Sequence, residues 1–474
     1  LKNNLLRILN LNSKLSLITK LIIIFFMCFK FKKIMNKLKF LTLIFLFAIL
    51  LLSCGRQGKP VDPMTLGPSK VEVRNVEGRY RLFVNGEEFF VKGAGCEYGA
   101  CYQIAAHGGN AIRTWRTQNS QKSGREVLDT AWENGLMVLM GLDMGRERHG
   151  FDYNDTAAVA RQLERIRQEV IELKDHPALL GWGIGNELNL HYFNKRVWYA
   201  VNDIARMIKE VDGNHVTTTM LAGLNRVDVK YIEQKAPYLD FISIQMYGDI
   251  VNLQQRIKEA GFTGPYLITE WGATGHWEVP VTEWGAPIEQ TSSEKADAIK
   301  ERYNLAILAD EANCMGSFVF LWGQKQERTP TWYGLYTEKG EKTEAIKVME
   351  YLWTGNRPQN MPPRINDLSI VGLGGRFDNV RLIANGKYTM QFSLDYAKME
   401  NITIRAEIMP EPVELSVGGD YERRPKSIEG LIVSANNREV VFRAPKTPGP
   451  HRIFIYAVDA ENFAATANIP FYVR

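Results

Sequence analysis

Two glutamates stand at the ends of short apolar runs. Glu187 closes Leu179-Leu180-Gly181-Trp182-Gly183-Ile184-Gly185-Asn186-Glu187, and Glu270 closes Tyr266-Leu267-Ile268-Thr269-Glu270, with Trp271-Gly272 after it. A carboxylate at the exit of a buried strand is costly to desolvate, so two at matching positions point to a shared task. Cleavage of a glycosidic bond fits such a pair: one carboxylic acid protonates the leaving oxygen while the other, ionised, attacks the anomeric carbon. Their residue numbers differ by 83. A barrel of eight strand–helix units in ~250 residues spends ~31 on each, so three units take ~90 and the glutamates fit the ends of strands four and seven.

The elements that must position them are readable in the same pattern. From about residue 89, short apolar strands alternate with amphipathic helices, as in a parallel α/β sheet. Strands are predicted near 89–95, 110–115, 136–142, 178–186, 215–220, 240–246, 265–270 and 316–322. The plainest helix runs from Asp155 to Leu173, capped by Asp155, with Val159, Leu163, Ile166, Val170 and Leu173 at helical spacing. Eight such units predict an α/β fold, a (β/α)8 TIM barrel. With an N-terminal strand pair over Val71–Val91, whose turn is Asn85-Gly86, the barrel domain covers 71–355. A doubly wound sheet is the rival, but no Gly-rich phosphate loop follows the first strand. Residues 356–364 form a polar, proline-rich linker. Across 365–474 the apolar period changes to two, and seven or eight short strands predict an immunoglobulin-like β-sandwich lacking its cysteine pair. Its aromatics Phe442, Phe454, Tyr456, Phe471 and Tyr472 fall at core-like positions, which favours a structural brace over a glycan-binding module.

In such a barrel the site lies at the C-terminal strand ends. Here those ends read Arg113-Thr114-Trp115, Gly141-Leu142-Asp143, Asn186-Glu187, Gln245-Met246-Tyr247, Glu270-Trp271 and Leu321-Trp322. The segment His176–Trp182 leading into Gly185-Asn186-Glu187-Leu188 resembles the acid/base stretch of family 2 glycoside hydrolases, in clan A of the retaining enzymes. Asn110–Thr114 and Ile268–Gly272 resemble two further signature stretches, and the likeness covers about 88–330. It implies Glu187 as acid/base, Glu270 as nucleophile, Asn186 on the sugar 2-hydroxyl, Arg113 and Tyr247 holding Glu270 ionised, and Trp322 as subsite floor. Trp115, Asp143 and Trp271 join the expected substrate-binding set by their place at strand ends. Asp143, with Arg146, Arg148 and His149, could instead form a solvated loop. Family 2 enzymes carry sandwich domains before the barrel, whereas this chain places its sandwich afterwards. The clan is therefore better supported than the family, and barrel-then-sandwich is more similar to clan-A enzymes acting on β-1,3-glucans.

The physics is consistent with that division. A carboxylate beside Arg113 stays charged, as a nucleophile must, while its partner needs a drier or more negative setting to rest protonated. Retention requires the carboxyl groups ~5–5.5 Å apart. The implied function is a retaining glycosidase on β-linked polysaccharide or oligosaccharide, leaning to an endo-β-glucanase or transglycosylase. An exo-acting β-galactosidase, β-mannosidase or β-glucuronidase is the alternative enzyme, and a non-catalytic glycan-binding lipoprotein the alternative of another class. Neither cofactor nor metal is called for: His107, His191 and His215 form no i,i+4 pair and no H-x-H. The long loop Ala273–Ser293 carries His276, Trp277, Glu278, Glu283 and Trp284, whose aromatics either wall a cleft or pin the loop.

Composition bounds the rest. The chain has 474 residues, enough for two or three domains. Nine of its 58 Lys and Arg, and none of its 53 acidic residues, lie in 1–54, so the remainder holds 49 basic against 53 acidic residues, a net of −4. That body has no footprint for nucleic acid. Met35-Asn36-Lys37-Leu38-Lys39 reads as a basic n-region and Phe40–Leu52 as the apolar core of a signal peptide. Leu51-Leu52-Ser53-Cys54 resembles the bacterial lipobox, which implies lipidation of Cys54, a membrane anchor and a cell-envelope location. Met35 is the expected initiator, with 1–34 upstream of it, and 55–70 the expected tether. Cys96 and Cys101 could be bridged, but with Cys314 they are expected as buried free thiols. Oligomeric state is left open.

Overall fold

A computed structural model describes residues 62–474. The predicted leader and Cys54 lie outside the described residues.

Eight parallel strands close into a barrel: β4 (Val91–Gly95), β5 (Ala111–Arg113), β6 (Met137–Leu142), β7 (Leu179–Asn186), β8 (Val216–Ala222), β9 (Phe241–Gln245), β10 (Tyr266–Glu270) and β11 (Cys314–Val319). The chain is thus an α/β protein built on a TIM barrel. The sequence expectation extended the last strand to 322; it ends at Val319, and Phe320 makes only an isolated bridge to Gly272. The helix after β6 runs Thr156–Leu173, and the Asp155 side chain accepts from the Ala158 N–H at 2.9 Å. Its inward stripe, Ile166, Val170 and Leu173, is buried in the layer between helices and strands.

The bottom of the barrel is plugged. A three-stranded antiparallel sheet, β1 (Val71–Val76), β2 (Arg79–Val84) and β3 (Glu87–Glu88), inserts Val71 and Leu82 among Val91, Leu139, Leu180, Leu267 and Phe318. Asn85-Gly86 is a turn with positive φ at both residues, but it joins β2 to β3; β1 and β2 are joined through Glu77-Gly78, of the same conformation.

The C-terminal domain packs two sheets face to face. One orders β13-β12-β15-β18-β17, from Gly374–Gly375, Arg364–Ile370, Lys387–Asp395, Glu439–Arg443 and Ile432–Ala435. The other orders β14-β20-β19-β16, from Arg381–Leu382, Ala464–Val473, Gly449–Val458 and Thr403–Pro410. Phe442, Ile453, Ile455 and Phe471 fill the space between them. A buried polar knot joins this sandwich to the barrel: Glu289 accepts from Lys295 at 2.5 Å, Thr329 at 2.6 Å, Thr331 at 2.8 Å and Asn468 of β20 at 2.7 Å. Arg376 adds paired contacts to Glu294 at 2.7 and 2.9 Å.

Cys96 and Cys101 are bonded to each other, which corrects the expectation of free thiols. The loop after β4 doubles back through Gly99 at φ 79° and brings the two Cα atoms to 5.8 Å, within bridging reach. Among the described residues Cys314 is a free, buried cysteine.

Candidate active site

The strand ends converge on one cavity of about 1280 Å³, lined by Glu187 and Glu270 together. β7 and β10 stand three strands apart around the eight-stranded ring, and both end at its mouth. The chain leaves β7 sharply: Gly185 has φ 70° and Glu187 φ 51°, a left-handed conformation that a non-glycine residue adopts at a cost. The Glu187 N–H is held by the Met220 carbonyl at 3.0 Å.

Glu270 is 6% exposed and surrounded by donors. Its Oε1 accepts from Arg113 Nη1 at 2.6 Å, Trp115 Nε1 at 2.8 Å and Gln245 Nε2 at 3.1 Å. Its Oε2 accepts from the Tyr247 hydroxyl at 2.8 Å. Burial, then the charge of Glu270, hold the Tyr247 phenol well above its ordinary value, so it remains an O–H donor. All four partners donate, so the carboxyl oxygens act throughout as acceptors. Asn186 Oδ1 accepts from Arg113 Nη2 and from Gln245 Nε2, the latter at 2.8 Å. That leaves the Asn186 amide nitrogen as its free donor end.

Glu187 sits differently. Burial first, and then the nearby charge of Glu270, push its carboxyl up to about 7, while Arg148 and Arg113 pull the other way. Its carboxyl receives no hydrogen bond among the described residues that would hold it ionised. One carboxyl is thus gripped by four donors while its neighbour, without such donors, is raised to about 7, an inequality that acid-plus-nucleophile chemistry can use.

Arg113, Trp115, Asn186, Tyr247, Glu187 and Glu270 are brought together by this geometry; Asp143 and Trp271 are not. Asp143 is exposed, pairs with Arg146 at 3.6 Å and does not line the cavity, because it lies past the inward-facing end of β6. Trp271 is fully buried, packed on Tyr303 behind the barrel wall. Trp322 borders the cavity, but its side chain is buried and stacks on Trp353 at 5.7 Å. The aromatic floor is Phe320, edge-on to Trp115 at 5.7 Å and to Tyr247 at 5.9 Å. The long loop after β10 is split in use: Trp277 is 60% exposed at the cavity, while Trp284 packs on Tyr472 and beneath Arg381 of the sandwich.

Gln245 is the residue sequence reasoning missed. It stands opposite Glu270 in the β9–β10 register, and a polar amide closing a short, mostly apolar strand was the available signal. Among the described residues no group of three or more His, Cys, Asp and Glu side chains could hold a metal ion.

No family model matches the chain, and no curated protein does. Among solved structures it is similar to an FMN-binding β-glucuronidase from Facaelibacterium prausnitzii L2-6, at 16% identity and TM-score 0.44, over 86% of this chain and 59% of that one. A β-glucuronidase from Bifidobacterium dentium is similar at 16% identity and TM-score 0.46, over 60% of this chain and 49% of that one. A family 5 mannosidase from Rhizomucor miehei is similar at 15% identity and TM-score 0.44, over 59% of this chain and 96% of that one. The chain therefore spans about three-fifths and half of the two glucuronidases' lengths.

Proposed function

We propose that this protein is a retaining glycosidase acting on β-linked glycans through Glu270 as nucleophile and Glu187 as acid/base. The observation that carries the reading is the unequal pair in one cavity: a carboxylate gripped by four donors beside a carboxyl pushed up to about 7. Oε1 of Glu270 is occupied by three donors and Oε2 by one, so Oε2 keeps a lone pair for attack on the anomeric carbon. Glu187 gives its proton to the leaving oxygen, then takes one from water as the glycosyl–enzyme ester is hydrolysed. The Asn186 amide nitrogen donates to the sugar 2-hydroxyl. None of these steps draws on a cofactor.

The cavity, about 1280 Å³, exceeds the ~300–1,000 Å³ of a pocket for one drug-sized ligand. That favours an oligosaccharide or polysaccharide over a single sugar, and so endo-hydrolysis or transglycosylation. A purely glycan-binding protein would have no use for a proton held on Glu187. The Cys96–Cys101 bridge suits an oxidising compartment, consistent with a cell-envelope lipoprotein anchored through Cys54. Loss of membrane association and lipid labelling in C54A tests that anchor.

Product analysis on β-glucans, β-mannan and aryl β-glycosides tests the activity. Oligosaccharides released from one polymer, and abolished in E270Q, are the expected result. Turnover that survives E270Q would overturn the assignment.

A further inference from the structure

The cavity is not made by the barrel alone. Ser416, Val417, Gly418, Gly419, Asp420 and Tyr421 line it together with Glu187 and Glu270, and all six belong to the loop between β16 and β17 of the sandwich. This loop is fastened to the barrel mouth at both sides. Glu422, 3% exposed, accepts from the Arg328 backbone N–H at 2.6 Å, from the Arg328 guanidinium, and from Ser416 N at 2.9 Å. Lys325 donates to the Gly419 carbonyl, and His149 pairs with Asp420 at 2.7 Å.

Its approach depends on glycine. Gly418 and Gly419 have φ 63° and 74°. A Cβ at Gly418 would lie 2.6 Å from the Leu190 side chain and 2.8 Å from that of Arg148. Both neighbours belong to the acid/base side of the site: Leu190 follows Glu187, and Arg148 Nη1 donates to the Glu187 carbonyl at 3.1 Å. A general acid stands where the leaving oxygen departs, so an element seated against its loop faces the leaving group rather than the sugar under attack. Tyr421, 86% exposed, is the aromatic this loop presents at the cavity. An aromatic face free of protein contacts suits the apolar face of a pyranose ring, as its hydroxyl suits the rim.

We propose that the 412–427 loop of the sandwich forms the leaving-group subsite for the glycan, with Tyr421 stacking on a sugar ring beyond the scissile bond. The sandwich is then part of the substrate cleft as well as a brace. The inference rests on the glycosidase reading, and the test separates the two. In the full chain, Y421A is compared with wild type on β-1,3-gluco-, β-1,4-gluco- and β-1,4-manno-oligosaccharides, and on 4-nitrophenyl β-glycosides of the same sugars, which have no leaving-group sugar. Expected is a loss of roughly three- to tenfold in kcat/KM on the cleaved oligosaccharide, with the aryl glycoside unchanged. Equal loss on both substrates, or loss on neither, would overturn the subsite while leaving the glycosidase reading intact. If wild type cleaves none of them, that reading falls, and calorimetric binding of the same oligosaccharides decides the loop: weaker binding to Y421A upholds it as a glycan contact, and unchanged or absent binding overturns it.

Discussion

Replacing Glu187 with Gln should make the protein more stable above neutral pH and change little in acid. Burial and the charge of Glu270 carry the Glu187 carboxyl from 4.5 to about 7. A rise of roughly 2.5 units at 1.36 kcal/mol each is worth about 3 kcal/mol. Between those two values the unfolded chain has released this proton and the folded chain still holds it. The unfolded state therefore binds fewer protons, and stability falls as pH rises through that window. Below it both states are protonated and the loss is absent; above it the loss is complete. A glutamine amide matches the protonated acid in shape and does not titrate. Unfolding free energies from urea titrations of wild type and E187Q, taken from about pH 4 to about pH 8, report this group together with its interaction with the Glu270 charge. The variant's advantage should grow by about 3 kcal/mol across the range. A difference independent of pH would refute the elevated Glu187 carboxyl, and with it the assignment of the acid.

The same group sets a kinetic limit: kcat/KM on the cleaved glycan should fall with a single ionisation near pH 7, the value to which the Glu187 carboxyl is raised. Arg113→Met leaves the Glu270 carboxylate buried without its cation, so stability should drop by ~3–5 kcal/mol and turnover by a factor of ~10² or more, measured by denaturation and initial rates. Gln245→Leu removes one donor from Glu270 and one from Asn186; kcat/KM should fall by a factor equivalent to ~1–3 kcal/mol, with the circular dichroism unchanged. Glu289→Leu strands the buried Lys295 at the joint between barrel and sandwich and should cost ~3–5 kcal/mol in thermal or urea unfolding, with no change in the pH at which activity declines.

Local pattern carried the barrel and the centre of its site. Parallel strands buried on both faces read as apolar runs, and a charged residue ending such a run stands out, so Glu187 and Glu270 are visible without any partner. Arg113 and Tyr247 follow because the ends of neighbouring strands share one mouth. The errors came where the backbone leaves regular structure. β11 stops at Val319, so Phe320 takes the floor and Trp322 turns into the helix layer against Trp353. Trp271, next to Glu270, faces away from it, as adjacent residues in an extended chain must. Asp143 lies beyond its strand and meets solvent. The sandwich's share in the cavity was invisible for a different reason: Val417-Gly418-Gly419-Asp420-Tyr421 reads as an ordinary exposed loop, and only the docking of the two domains brings it to Leu190, Arg148 and Lys325.

The central claim is that Glu270 attacks the anomeric carbon and Glu187 serves it from the leaving-group side. Proton NMR of the first product formed on the cleaved β-glycan, recorded before mutarotation, tests it most directly. The account predicts that the β-anomer appears first, through a double displacement, and that no product forms in E270Q. An α-anomer appearing first would contradict it.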